Sequence, residues 1–337
     1  MSEAETIDGL VTTIIPVYNR AAMLRQAVDS VLAQSYRPIE IVISDDGSTD
    51  DTPAAMAALA AAHPDVVRCV RNPNRGPGSA REAGRVLARG EFIQYLDSDD
   101  RLLPRKFEAQ VAALRAHPEC AIAYGRTRLI DMDNVVLASP FKWTGEVRET
   151  LFPGLLVDRW WCTHTPLYRR VLTDAIGPWC DLRYSQDWEY DMRAGALGVQ
   201  LAHCNVDVSE HRHHVGARQT GSGKWLAPSD RVRFFEALFT HARSAGVAVD
   251  APEMRHFSRW VFSHARTCGH MGDAGSARAL YRLALRASAG FGFEMRAYRA
   301  LAGAIGWERA ARWSDAARTA LGRKTGADTR MQSWMRG

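Results

Sequence analysis

Apolar runs of strand length alternate with helical patterns along the first hundred residues, and each strand is closed by a polar break. Residues 10–17, LVTTIIPV, form a β-branched run typical of a buried strand, which Pro16 breaks ahead of a loop at Tyr18-Asn19-Arg20. Residues 21–34 place Leu24, Ala27, Val28, Val31 and Leu32 on one helical face. A second strand is predicted over 39–44. It ends in Asp45-Asp46-Gly47-Ser48-Thr49-Asp50, and an alanine-rich helix follows over 53–62 with Thr49 or Asp50 as its cap. A third strand over 66–70 leads through the loop 71–78 into a helix over 79–88. The fourth carries Phe92, Ile93, Tyr95 and Leu96 and stops in Asp97-Ser98-Asp99-Asp100.

This alternation, with short connections, predicts right-handed βαβ units and an α/β fold with a mainly parallel central sheet flanked by helices. Ligands of such sheets bind beyond the carboxyl ends of the strands. Here four successive ends, PVYNR, DDGSTD, NPNRGPG and DSDD, are polar and fall on the same edge. The last of them gathers carboxylates that repel one another at the end of an apolar strand. A positive partner is required, and a divalent cation is the economical one. A solvated turn followed by a helix N-cap is the structural alternative.

Composition changes this picture little. The 337 residues are 46% hydrophobic and 24% charged, which is ordinary for a globular chain with a core. Six cysteines occur without any C-x-x-C pair, which suits a reducing compartment and argues against a disulfide framework or a zinc site. The polar start, MSEAETIDG, does not read as a signal peptide, and no apolar run approaches the ~20 residues of a membrane span, so the expected location is cytoplasmic. Charge is more informative. Residues 230–337 hold 18 Lys and Arg against 9 Asp and Glu, a balance of +9, while the rest of the chain carries −4. Nucleic acid, an anionic membrane surface and plain solvation are all compatible with such a tail.

The motifs PVYN, DDGSTD, NRGPGSARE and YLDSDD, in this order and spacing, resemble those of family 2 glycosyltransferases with the GT-A nucleotide-diphospho-sugar transferase fold, over residues 12–222. The resemblance implies a catalytic domain over 1–227, with a nucleotide-binding half at 10–130 and an acceptor half at 131–227. A basic helical region over 228–337 would follow it. Pro16, Tyr18 and Arg20 would wall the nucleotide, and Asp46 would accept a hydrogen bond from the base. Asp45 and Asp50 read equally well as turn and cap residues. Gly76 and Gly78 would let the backbone approach the donor, and Arg75 or Arg81 would face its negative charge. Glu82 stands where relatives often have Asn. Asp97 and Ser98 would contact the donor, Asp99 would bind Mg²⁺ or Mn²⁺ directly, and Asp100 would cap the next helix.

The same resemblance makes Asp187, in Ser185-Gln186-Asp187-Trp188-Glu189, the catalytic base that takes the proton of the acceptor hydroxyl. Relatives often have Glu where this chain has Gln186. A lone base implies inversion at the anomeric carbon. The structural alternative is a carboxylate that starts a helix running through Met192. Downstream of a strand over 199–208 comes Glu210-His211-Arg212-His213-His214, where the family's metal-reaching histidine matches His214. His211 is the lesser candidate, because alternation sends neighbouring side chains to opposite faces. The glycine-containing loop 215–224 would close over donor, with Arg218 or Lys224 on phosphate. Trp160, Trp161, His164 and Tyr168 suit either sugar rings or a core.

A nucleotide-sugar donor and a polysaccharide or lipid-linked acceptor are the implied partners, with no nucleic acid. The Arg278, Arg282 and Arg286 stripe belongs to a solvated helical appendage or to a peripheral contact with an anionic membrane. A sugar nucleotidyltransferase and a catalytically silent binding protein are the other readings. The former lacks its glycine-rich opening here, and the latter has no chemical need for both Asp99 and Asp187.

Overall fold

The computed structural model describes residues 6–182, 184–213, 227–290 and 293–320. They divide into two compact units, one within Met1–Leu151 and Arg159–Ser222, the other within Phe152–Asp158 and Gly223–Gly337.

In the first unit β1 (Ile7–Val17), α1 (Ala21–Leu32), β2 (Ile39–Asp45), α2 (Thr52–Ala62), β3 (Val67–Arg71), α3 (Pro77–Leu87) and β4 (Gly90–Tyr95) alternate as expected. The strands pair in parallel in the order β3-β2-β1-β4. From Leu10 onward every residue of β1 is buried, as is all of β2, because helices cover both faces of these central strands. On one face Val11, Ile15 and Val17 pack with Leu24, Val28 and Val31 of α1. On the other, α3 approaches so closely that a Cβ on Gly84 would meet Ile14 at 2.4 Å.

Pro16 does not end β1. The β1–β4 pairing stops at Ile14 and Tyr95, so the missing N–H of Pro16 falls where only β2 is paired, opposite Ser44.

The remaining elements are β5 (Arg101–Leu102), α4 (Lys106–Ala116), β6 (Cys120–Ile130), β7 (Val136–Ala138), β8 (Leu167–Arg169), α5 (Arg170–Ile176), α6 (Gln186–Ala196) and β9 (Gln200–Arg212). They extend the sheet to β3-β2-β1-β4-β8-β6-β9-β5, with β7 on β6. This half is mixed: β8 is antiparallel to both β4 and β6, while β6 and β9 are parallel. Two local expectations fail here. Asp100 leads into β5 rather than capping a helix, since α4 begins only at Lys106. And β9 continues past the expected end at 208 through Arg212, with Glu210, His211 and Arg212 paired with Arg128, Leu129 and Ile130 of β6.

The second unit is helical: α7 (Pro228–Ser244), α8 (Pro252–His270), α9 (Ala274–Arg286), α10 (Phe293–Ile305) and α11 (Trp307–Ala320). Its core is aromatic, with the rings of Phe235 and Trp260 4.7 Å apart edge to face. Helices α8 and α9 form a hairpin whose second member is capped by Asp273, which accepts from the Ser276 backbone N–H at 2.9 Å. Ala277, Leu280, Tyr281 and Ala284 are buried, and Arg278, Arg282 and Arg286 form the exposed face. Among the described residues no helix is long and apolar enough to cross a membrane.

Candidate active site

The polar edge is built by loops that tie one another down. Asn19, at φ +50°, accepts from the Thr49 N–H at 2.8 Å, and its own N–H donates to Ser48 Oγ at 2.9 Å. The ends of β1 and β2 are thereby fixed together. Asp45 is fully buried and accepts from the Ser48 N–H at 2.9 Å, which is a turn role. Asp46 accepts from the backbone N–H groups of Arg75 and Gly76, each at 2.9 Å, and so clamps the third loop to the second. Burial raises its carboxyl above the usual range, against the pull of those two bonds. Pro16 lies buried in β1, and Tyr18 is exposed beyond it.

Gly78 sits at the start of α3, where a Cβ would meet the Cys180 carbonyl oxygen at 2.4 Å. Packing alone therefore calls for glycine. Gly78→Ala is expected to cost about 1–3 kcal/mol by forcing α3 off its seat. Denaturant melts of the two proteins measure this directly, and equal midpoints contradict it.

Arginines meet the carboxylates of the DSDD run. Arg20 pairs with Asp99, and Arg81 Nη2 donates to Asp97 Oδ1 at 2.5 Å. Arg81 is only 3% exposed and lies 4.9 Å over the Trp179 ring. Its Nε and Nη1 are buried without a hydrogen-bond partner among the described residues. Ser98 is buried.

Asp187 enters from the first turn of α6, after Ser185 in the left-handed region at φ +60°. Its Oδ2 accepts from Arg159 Nη1 at 2.8 Å and from Thr163 Oγ1 at 3.2 Å. The side chain keeps 27% exposure, enough to meet a hydroxyl arriving from solvent. Burial works against its charge, but Arg159 and then Arg81 outweigh that and hold the carboxyl below its usual range. Arg81 thus acts electrostatically on Asp187 while hydrogen-bonded to Asp97, joining two motifs far apart in the chain.

Arg159 is the residue of this candidate site that sequence reasoning missed. It bridges Asp187 to Asp191, its Nε donating to Asp191 Oδ2 at 2.7 Å. The one available signal was a charged residue set before Trp160-Trp161 in an apolar stretch. Trp160, Trp161 and Tyr168 belong to the core. Trp161 Nε1 and Tyr168 OH donate to Asp191 at 2.8 and 2.9 Å.

Asp100 turns away to other partners. Its Oδ1 accepts from the Arg212 N–H at 2.8 Å, and its Oδ2 lies 2.9 Å from His164 Nδ1 and 3.1 Å from His211 Nδ1. Burial opposes its charge, yet the attraction of His211 and His164 wins and holds the carboxyl well below its usual range. His214, Arg218 and Lys224, which the resemblance brings to metal or phosphate, lie outside the described residues.

A sheet whose parallel half ends in these carboxylate and glycine loops, with a second carboxylate delivered from α6, defines a GT-A-type nucleotide-sugar transferase fold. The solved structure of S. aureus TarS 1–349 in complex with UDP-GlcNAc superposes with a TM-score of 0.66 at 18% identity, over 92% of each chain. Residues 12–167 match the Glycosyl transferase family 2 model. An uncharacterized glycosyltransferase of Rickettsia felis is 42% identical over 123 residues, 36% of this chain and 20% of that protein. Chondroitin synthase of Escherichia coli is 35% identical over 147 residues, 44% of this chain and 21% of that one. The chain thus spans about a fifth of the length of these two relatives.

Proposed function

We propose that the protein is an inverting, metal-assisted glycosyltransferase. It moves a sugar from a UDP- or dTDP-linked donor to a hydroxyl of a surface polysaccharide or lipid-linked glycan. The observation that carries this reading is Arg81, hydrogen-bonded to Asp97 at the donor edge and lowering the carboxyl of Asp187. The UDP-GlcNAc held by TarS and the chondroitin synthase relative support the donor and acceptor classes.

In this reading Pro16, Tyr18, Arg20, Asp46 and Gly78 shape the nucleotide side, and Asp97, Ser98 and Arg81 meet the diphosphate and ribose. Asp187 takes the acceptor proton as the hydroxyl oxygen bonds to the anomeric carbon. The sugar–phosphate bond breaks on the opposite face, and its electron pair leaves with the nucleoside diphosphate, so configuration inverts. Arg81 keeps Nε and Nη1 without a hydrogen-bond partner among the described residues, so its guanidinium is the candidate for the charge that develops there. Asp97 and Asp99 form an oxygen-only set at the end of β4, which fits the hard cations Mg²⁺ and Mn²⁺. Such an ion, when bound, supplies Lewis-acid neutralisation of the leaving diphosphate.

Thermal melts with nucleotides and nucleotide sugars, with Mn²⁺, Mg²⁺ or EDTA, test the reading. UDP or dTDP compounds at about 100 times Kd are expected to add about 2.7 kcal/mol of stability, largely lost with EDTA. Asp99→Ala is expected to melt as a folded protein that has lost the metal-dependent part of the shift. A full shift in that variant, or none in the parent with any nucleotide, removes the proposal.

We place the enzyme in the cytoplasm, with the arginine-faced helices of the second unit as its contact with an anionic inner leaflet. Flotation with anionic but not neutral vesicles is the expected result, and equal flotation with both ends the membrane idea.

A further inference from the structure

Cysteine spacing gives no hint of zinc, but the fold assembles a donor set that no motif announces. Cys162 and His164 come from the turn before β8, His211 from the end of β9 and Asp100 from the end of the DSDD run. The Cys162 Sγ and one nitrogen of each imidazole all lie within 4.8 Å of one another. Both Nδ1 atoms converge on a single oxygen, Asp100 Oδ2, at 2.9 and 3.1 Å.

A second observation points to a ligand. His164 is fully buried, and its Nε2 has no hydrogen-bond partner among the described residues. A protein interior rarely strands an imidazole nitrogen unless something is meant to occupy it. The rings are also held in place: His211 stacks on Phe141 at 5.5 Å and 5°, and lies nearly parallel to His164 at 5.7 Å and 15°.

We propose that Cys162 and the Nε2 side of His164 and His211 bind Zn²⁺ in a buried centre, with a water as the fourth ligand and Asp100, on the Nδ1 side of both rings, as the carboxylate that orients them. Sulfur and two imidazoles form a set that selects zinc over the hard cations, which prefer oxygen alone. A thiolate and a carboxylate balance the two positive charges of the ion, so the buried centre is neutral. Ligand atoms around tetrahedral zinc sit about 3.3–3.8 Å apart, so drawing the three together from within 4.8 Å needs a contraction of about 1.5 Å at most. The Arg212 N–H, 2.8 Å from Asp100 Oδ1, orients the carboxylate from behind. Such a centre would anchor the DSDD run one residue past Asp99. It stands independently of the glycosyl-transfer reading, because its ligands are not those of the donor edge.

The test uses the full chain purified without chelators. Stoichiometric zinc by elemental analysis is expected. Cobalt exchanged for it should give a thiolate-to-cobalt band in the near ultraviolet and intense visible absorption of tetrahedral type. Cys162→Ser should lose the ultraviolet band, and Asp97→Asn with Asp99→Asn should keep it. If Cys162→Ser does not fold, the wild-type chain still decides, by its zinc content and its cobalt spectrum. Wild type without zinc or a thiolate band, or a band that persists in Cys162→Ser, overturns the proposal and leaves a metal-free network of Asp100 with its two histidines.

Discussion

Asp187→Asn is expected to bind nucleotide as the parent does and to lose about 10²–10⁴-fold in turnover, the usual contribution of a positioned general base. The substitution keeps shape and keeps an oxygen for Arg159 Nη1, so the first turn of α6 should stay in place. What it removes is the capacity to accept a proton. The pH profile supplies a second readout. Burial opposes the Asp187 charge, but Arg159 and Arg81 hold its carboxyl below the ordinary carboxylate range, so the base form is populated throughout neutral and mildly acidic solution. Activity due to this group is therefore lost only as pH falls through that lowered value, below the ordinary carboxylate range. Single-turnover assays of both proteins between pH 5 and 8 should show a flat Asp187 contribution. An unchanged rate in Asp187→Asn removes the residue from the mechanism.

Asp191→Ala should have the largest effect on stability. The carboxylate is fully buried and serves three donors at once: Arg159 Nε at 2.7 Å, Trp161 Nε1 at 2.8 Å and Tyr168 OH at 2.9 Å. Removing it leaves Arg159 Nε and two other buried donors without their acceptor, although Arg159 Nη1 keeps Asp187, and breaking a buried pair from one side costs about 3–5 kcal/mol. For a unit of this size that is a fall in Tm of roughly 6–20 °C. Asp191→Asn should cost much less. Its oxygen can still serve Arg159 and Trp161, and its amide can donate to the Tyr168 hydroxyl once that group rotates to accept. Equal melting of the Ala variant and the parent would mean that the network holds nothing. Because Arg159 also positions Asp187, the Ala variant should lose turnover more than its residual folding explains.

The parallel strands and the polar loops on their edge were legible because their information is local. A β-branched run, a polar glycine-containing break and a helix face recur with short periods, and each is readable within a dozen residues. The mixed half of the sheet is not local. β8 is three residues long and gains its place only by lying between β4 and β6. The fate of Asp100 could not be read from its neighbours, which look like a helix start; its partners lie 111 and 112 residues downstream on β9. The same holds for Arg159, which looks like a stray charge until α6 brings Asp187 and Asp191 to it.

By itself, then, the sequence determined the parallel half of the sheet, the four polar loops on its edge and the amphipathic faces of the helices, because hydrophobic period and turn chemistry act between near neighbours. Only the tertiary structure decided which buried charges meet: Arg81 with Asp97, Arg159 with Asp187 and Asp191, and Asp100 with His164 and His211. A buried charge has no preferred sequence distance to its partner. It requires only that folding bring an opposite charge within reach, and the packing of the sheet and its helices sets that.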